Sequence, residues 1–279
     1  MLPKPTPDSD RGSWYSEESS FALRTKQLAA AILPRFILLA AKKRYYAALL
    51  RQSTLDSMEK DATALPRIVQ PGDFVIDIGA FVGSYAKPLS GLVGPSGKVW
   101  SFEASPETFE ILSHSIRKLG LTNVEPFNYA ISDCEKMVTM EVPRYKGGGE
   151  SWYDTRISVS PRPQTKKLRR FAARARTLDS LTLNFPHPVS FIKCDAEYHE
   201  LYCMRGAAET LRRYKPAMLI EMLVSPDTPG SDQLKTMELL REFGYEAYRF
   251  DGTAFHRRKP GENSQNYFFF SDNHRAIVG

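Results

Sequence analysis

The chemistry of this chain begins where an apolar run ends on an acid and glycines follow, in Asp77-Ile-Gly-Ala-Phe-Val-Gly83. Glycine at such a point lets the backbone turn tightly and lets a ligand approach it closely. A dinucleotide fingerprint G-x-G-x-x-G counted from Gly79 would need glycine where Phe81 stands, so a pyrophosphate would lose its close backbone approach. Asp77 would also repel a phosphate, whereas it suits a cationic amine. S-adenosylmethionine (SAM), with an amino-acid tail and no phosphate, meets both conditions. Glu103 ends a second apolar run, 24 residues after Gly79, where a carboxylate can accept hydrogen bonds from both hydroxyls of a ribose. Asp133, after a third run, reads either as a partner of an adenine amino group or as a turn acid beside Ser132.

The elements that must hold these residues follow from hydrophobic patterning. Short β-branched runs predict strands at Phe74–Ile78, Lys98–Glu103 and Val124–Ile131, with helices at Ser84–Leu92 and Pro106–Leu119 between them. Ser105 and Pro106 form a helix-start signal. This βαβαβ opening implies an α/β fold with a parallel sheet covered by helices on both faces. Alternation predicts short strands at Met137–Val142 and Arg156–Val159, around Gly147-Gly-Gly149. Strands at Val189–Asp195 and Ala217–Leu223 bracket a helix at Glu200–Tyr214. A helix at Ser231–Phe243 then leads to two closing strands, Tyr245–Phe250 and Tyr267–Phe270. With no helical pattern between them, these two should pair antiparallel.

The 279 residues suit one large domain with an appendage. With 42% hydrophobic and 25% charged residues, the chain is neither wholly disordered, collagenous nor a multi-span membrane protein. Three scattered cysteines without a CxxC pair argue against a disulfide framework or zinc site and for a reducing compartment. The polar, Pro/Ser-rich residues 1–20 predict a disordered tail without a secretory signal. Residues 21–66 form a helical extension, broken near Pro34, with a second helical piece at Thr54–Ala64. Its most apolar stretch, Leu28 to Ala41, contains Pro34-Arg35 and is shorter than the roughly 18 residues needed to span a bilayer.

The formal net charge of +6 is unevenly spread. Phe21 to Arg51 carries seven basic residues and no acid, as does Pro161 to Arg176. With those fourteen set aside, 24 basic residues face 32 acidic ones, a net of −8. The body is therefore acidic and carries two basic patches.

The motif residues resemble those of the FkbM family of SAM-dependent methyltransferases. The resemblance covers roughly Asp73 to Ser271. It rests on Asp77-Ile-Gly-Ala-Phe-Val-Gly-Ser-Tyr85, Phe102-Glu-Ala-Ser-Pro106, Leu121-Thr-Asn-Val124, Ala130-Ile-Ser-Asp133, Thr177-Leu-Asp-Ser-Leu181, Ile192-Lys-Cys-Asp-Ala-Glu197, Leu219-Ile-Glu221 and Asn266-Tyr-Phe-Phe-Phe270. It implies a Rossmann-like, seven-stranded methyltransferase sheet with an antiparallel last strand, spanning 67–279 with an insertion at about 135–176. It implies O-methylation of a hydroxyl on a sugar, glycan or other small metabolite. It carries cofactor contacts onto Asp77, Gly79, Ala80, Gly83, Glu103, Ala104, Ile131, Asp133 and Asp195. Three positions depart from the family pattern: Phe81 for Asn, Ala104 for Pro, and Tyr198-His199 for the Gly that follows the Glu matching Glu197. The last lies where the acceptor binds.

Methyl transfer to a hydroxyl benefits from a base, and open α/β sheets bind ligands at the carboxyl ends of their strands. The candidates there are Asp195, Glu197, His199 and Glu221. Asp195 and Glu197 are close enough in sequence for one carboxyl to raise the other's pKa. His199 would contribute an imidazole of ordinary pKa or sit at the surface. A metal is not expected, because the sequence offers no clear third ligand. The first basic patch reads as a cap on the domain, a membrane-surface helix or a homo-oligomer contact. The second reads as a surface loop steering an anionic acceptor. The acidic body argues against nucleic acid. These features place the chain in the cytoplasm, with peripheral contact at the inner membrane face through residues 21–51 as an option. The competing functions are nucleic-acid methylation and a non-catalytic SAM-binding scaffold.

Overall fold

The computed structural model describes residues 34–143, 155–158 and 168–278. The expected tail at 1–20, the first helical segment before Pro34 and the Gly147–Gly149 turn lie outside them.

Strand β1 (Phe74–Ile78) is buried along its whole length and pairs in parallel with β2 (Lys98–Phe102) and β8 (Val189–Cys194). β3 (Val124–Phe127) adds to β2, and β9 (Ala217–Glu221) adds to β8, both in parallel. Alternate side chains of β1 enter opposite cores. Phe74, Ile76 and Ile78 face one, and Val75 faces the other. A strand buried on both sides needs the continuous apolar run that Phe-Val-Ile-Asp-Ile supplies, interrupted by one acid.

Helices α2 (Ala86–Val93) and α3 (Pro106–Leu119) cover one face through Leu89, Val93, Leu112 and Ile116. Pro106 starts α3, and Gly120 ends it in the left-handed region. The other face is covered by α5 (Glu200–Arg205), α6 (Ala208–Tyr214) and α7 (Asp232–Glu242). The short α4 (Leu178–Thr182) buries Leu178 in the same core.

The two closing strands do pair antiparallel: β10 (Glu246–Phe250) with β12 (Asn266–Phe270). β12 inserts antiparallel between β9 and β10, and its Tyr267, Phe268 and Phe269 are buried. Each such aromatic contributes about 1.5–3 kcal/mol of burial. Among the described residues the sheet has eight strands, one more than expected, because β11 (Phe255–Arg257) folds back on β10 as an edge hairpin. Three residues between turns were too short a pattern to read.

Other differences have local causes. The expected third strand is two strands in two sheets. The chain leaves the main sheet after β3, where the Asn128 amide donates to the carbonyls of Glu103 and Ala104 at 2.7 and 3.2 Å. It then forms β4 (Ala130–Ile131) in a separate sheet. The basic segment expected as a loop runs, from Leu168 to Arg176, as the nine-residue strand β7. β7 pairs with β4 and with β5 (Met137–Pro143), and β6 (Arg156–Ile157) completes this small sheet. Ala173 and Ala175 point into its core while Arg170 and Arg174 point out. The arginines are held by acids: Arg170 by Glu141 at 2.9 Å and Arg176 by Glu135 at 3.2 Å.

The helical extension is α1 (Arg35–Gln52), which begins directly after Pro34 and packs along α3. Arg35 meets Glu107 at 2.8 Å and Lys43 meets Glu110 at 2.6 Å. Lys87 Nζ closes the far end of α1 by donating to the carbonyls of Leu50 and Ser53, each at 2.7 Å. The second helical piece becomes two 3₁₀ segments, Leu55–Ser57 and Lys60–Arg67. Thr54 and Ser57 cap each other and close the first, and Pro66 lies inside the second.

The predicted helix from Glu200 to Tyr214 is also divided. It breaks at Gly206, where an added Cβ would lie 1.9 Å from the Ser132 carbonyl oxygen. The backbone after β4 thus occupies the space a side chain would need. Gly206→Ala is expected to destabilise the protein by about 3 kcal/mol, because the obstacle is main chain and cannot rotate away. Urea unfolding measures it, and a variant within about 0.5 kcal/mol of wild type contradicts this packing.

Candidate active site

The carboxyl ends of β1 and β8 form the centre of the site. In parallel register Asp77 lies opposite Lys193 on β8 and Ser101 on β2. Period-two alternation puts Lys193 and Asp195 on one face. The Lys193 ammonium is consequently 3.1 Å from Asp195 Oδ2 and 4.0 Å from Asp77 Oδ1. Burial alone would lower the Lys193 pKa, but Asp195 and Asp77 outweigh it and hold the ammonium charged. The Tyr85 ring lies 5.0 Å from Nζ, and its hydroxyl donates to Glu59. Asn266 joins this layer by donating to Glu59 at 2.8 Å and Asp61 at 3.1 Å.

Asp77 is fully buried, and neither carboxylate oxygen accepts a hydrogen bond. Burial pushes its carboxyl up to about 6 despite Lys193, with Asp195 adding to the rise. An orphaned buried carboxylate is costly by itself and suits a ligand that brings a cationic donor.

The loop after β1 is fixed on both sides. The Gly79 and Ala80 amides donate to the Phe102 carbonyl, and the Asp195 amide donates to the Ile78 carbonyl. Gly79 has φ +73°, and a Cβ there would fall 1.8 Å from the Asp195 carbonyl oxygen. Only glycine fits, and the cofactor loop lies directly against the loop after β8. Phe81 has φ 49°, unusual for a residue with a side chain, and its ring meets Tyr46 of α1 edge-on at 6.0 Å. Its amide donates to Glu103 Oε2 at 2.9 Å, so this N–H is already engaged where a dinucleotide would present a phosphate.

Glu103 Oε1 accepts from the Ser105 amide at 2.8 Å and the Thr108 hydroxyl at 2.7 Å. Burial raises the carboxyl to about 7, against those hydrogen bonds. Oε1 is filled, while Oε2 keeps one lone pair, enough for a ribose hydroxyl. Asp77 with no donor, Glu103 with spare acceptor capacity and the bare Gly79 backbone together fit SAM.

Not every expected residue joins this centre. Ile131 is buried in the core, and Asp133 is exposed at the turn after β4. Gly83 sits at φ +105° against Leu112, behind the loop. His199 is buried, stacks on Tyr202 at 4.6 Å, and shares a 2.9 Å hydrogen bond between Nε2 and Ser132 Oγ. Burial pushes its pKa down to about 4, so it is neither the ordinary imidazole nor the surface residue expected from sequence.

Among the described residues, Asp195, Glu197 and Glu221 bring carboxylate oxygens within 4.8 Å of one another. Glu221, read from sequence as a strand-end acid, supplies the third ligand that was not expected, so the set could hold a cation. Lys193 already supplies one positive charge to Asp195. Glu221 pairs with Asp195 by a hydrogen bond. Burial first, then Asp195, push the Glu221 carboxyl far above the ordinary range, so it keeps its proton.

The loop between β8 and α5 is strained. Glu197 and Tyr198 have φ 47° and 70°, two successive left-handed residues that both carry side chains. Buried Glu200 holds them, its Oε1 accepting from the amides of Ala196 at 3.2 Å and Tyr198 at 3.1 Å. Sequence reasoning passed over Lys193 and Glu200. Period two along Lys193-Cys-Asp195 was the available signal for the first; Glu200 had none.

A family model described as Methyltransferase FkbM domain matches residues 77–247. Among curated proteins, a protein-L-isoaspartate O-methyltransferase of Methanococcus maripaludis is 41% identical over 54 residues, 19% of this chain and 26% of that protein. The chain thus matches about a quarter of that relative's length. Among solved structures, methyltransferase FkbM from Methylobacillus flagellatus is similar at 14% identity and a TM-score of 0.46, over 83% of this chain and 58% of that one. Aeropyrum pernix fibrillarin, solved with natively bound SAM, is similar at 16% identity and a TM-score of 0.44, over 76% and 74%.

The raised Asp77 carboxyl makes a prediction of definite sign. Above its ordinary pKa of 3.8 the unfolded chain loses this proton, while the folded chain keeps it to about 6. Stability therefore falls between those values and stays reduced above them. Asp77→Asn should stabilise the ligand-free protein by about 1–3 kcal/mol above pH ~6, a gain that disappears near pH ~4. The same variant, and Glu103→Ala, should weaken SAM binding roughly tenfold or more. Thermal melts across pH and titration calorimetry test both effects. A pH-independent gain, or unchanged affinity, contradicts the assignment of Asp77.

Proposed function

This chain belongs to the FkbM methyltransferase family, and on that premise we propose that it methylates a hydroxyl on a sugar, glycan or other small metabolite at the expense of SAM. The observation that carries this reading is the unequal pair Asp195–Glu221 at the carboxyl edge of the sheet. Glu221 keeps its proton, and Asp195 holds the Lys193 ammonium, which also lies 4.0 Å from the Asp77 carboxylate.

When bound, SAM supplies an electrophilic methyl group on a cationic sulfur. Asp77 would offer its carboxylate, which accepts no hydrogen bond, to a cationic amine, and Glu103 would offer Oε2 to a ribose hydroxyl. The Gly79 backbone supplies a surface with no side chain in the way. Holding an acceptor oxygen in line can contribute about 7–11 kcal/mol, so most of the work is positioning.

Asp195 is the base. It would take the proton that the acceptor hydroxyl loses as its oxygen gains the methyl group and the methyl–sulfur bond breaks, a contribution of about 10²–10⁴ in rate. Glu221 acts as a neutral hydrogen-bond donor to Asp195, and Lys193 fixes that carboxylate from the opposite side. The proton then passes to water. Glu197 and Tyr198, on the strained turn, border the place the acceptor must enter, and Tyr198 stands where the family pattern has glycine. Substrate choice is therefore referred to this turn.

The test pairs two substitutions. Asp195→Asn should lower kcat by about 10²–10⁴. Glu221→Gln, which keeps a neutral donor of similar shape, should lower it by less than about tenfold. Equal losses contradict the division of roles, and an unchanged rate in Asp195→Asn removes it as the base. Labelled SAM incubated with an extract of the source cell identifies the acceptor. Label in glycan or small-molecule fractions supports this reading, and label confined to RNA or protein overturns it.

A further inference from the structure

The cofactor loop holds one residue in a conformation that its type does not favour. Ala80 to Gly83 form a tight turn, closed by the Gly83 amide donating to the Ala80 carbonyl at 2.8 Å. Phe81 is the first central residue of that turn, and its φ of 49° belongs to turns that glycine, asparagine and aspartate normally build. Asparagine tolerates this region because its short polar side chain can hydrogen-bond locally, and phenylalanine has no such means. The Asn of the family pattern would therefore hold the turn unaided, whereas Phe81 needs support from its surroundings.

That support comes from α1, which lies before residue 77, where the family segment begins. The rings of Tyr46 and Phe81 meet at 6.0 Å and 78°, the edge-to-face geometry that aromatic pairs favour. One helical turn further along, buried Leu50 lies behind Gly83, where an added Cβ would fall 3.8 Å from Leu50 Cδ1. Lys87 of α2 then fastens the end of α1 through the carbonyls of Leu50, Arg51 and Ser53, at 2.7, 3.2 and 2.7 Å. Tyr46 and Leu50 are four residues apart and share one side of α1, so that side follows the turn from Phe81 to Gly83. The backbone of the turn, meanwhile, aims the Phe81 amide at Glu103 Oε2.

We propose that Tyr46 is a positioning residue for cofactor binding and acts through Phe81, on the reading that SAM is the cofactor. Its ring keeps Phe81 left-handed. The left-handed φ directs the Phe81 N–H to Glu103, and that bond orients the carboxylate whose remaining lone pair would meet the ribose. Without the Tyr46 ring the turn is free to relax to a negative φ, and the N–H turns away from Glu103. A helix outside the family segment thus supplies what an asparagine would supply within the loop.

Titration calorimetry of the full-length protein with SAM reads the effect. Tyr46→Ala should weaken binding by roughly three- to tenfold, the range of one aromatic pair. Tyr46→Phe keeps the ring and should bind within about twofold of wild type. The deciding measurement is a double-mutant cycle. Whatever Phe81→Asn does to affinity by itself, Tyr46→Ala should cost less than about twofold in its background, since the turn no longer depends on the ring. A loss of equal size in both backgrounds overturns the proposal, because Tyr46 would then serve only the general stability of α1. So does unchanged affinity in Tyr46→Ala, or a loss in Tyr46→Phe as large as that in Tyr46→Ala. Those three results leave SAM standing as the cofactor, whereas absence of SAM binding by the wild type overturns both.

Discussion

One ammonium group, that of Lys193, makes the centre of this molecule possible. Asp77 and Asp195 lie at the ends of neighbouring strands of a parallel sheet, so topology alone brings two carboxylates together, one of them, Asp77, fully buried. Unrelieved, like charges at that range and burial would oppose folding of both strand ends. Lys193 sits between them, within 4.0 Å of each, and the ring of Tyr85 closes its remaining side. The relief is partial, since Asp77 still lacks a hydrogen-bond donor and Glu221 still keeps its proton. A site that remains short of positive charge is suited to a cofactor that brings some.

Much of the sheet was legible because its strands are buried on both faces and must be written as unbroken apolar runs. Phe74–Ile78 and Ala217–Glu221 have no alternative reading, and the glycines that follow Asp77 mark the turn. Legibility fails where an element is short or its outer face is unusual. β7 reads as a loop from sequence because arginine dominates its composition, although Phe171, Ala173 and Ala175 keep the period of two. β11 spans three residues and carries no pattern at all.

The site divides in the same way. The positions of Asp77, Gly79, Glu103 and Asp195 at strand ends and turns could be read from sequence because those features are fixed locally. The pairing of Asp195 with Glu221 could not, since it depends on which strand lies beside which and how far each extends. His199 shows the reverse error. Its residue type suggested chemistry, but its surroundings, Ser132 and the face of Tyr202, are those of a core residue. Glu200, by type a surface acid at the start of a helix, is what holds the strained turn at Glu197 and Tyr198.

The position of β12 bears on how this gene could be rearranged by evolution. The segment that carries the family signature, 77–247, stops before β12, yet β12 lies inside the sheet with β9 on one side and β10 on the other. Its Asn266 also reaches Glu59 and Asp61, which precede that segment. A recombination event that moved the signature alone would deliver a sheet with a missing middle strand and a split core. What can be inherited as a working unit therefore extends from Glu59 to at least Phe270. Modular exchange among relatives is confined to what lies outside that span or to the small sheet carried on its edge.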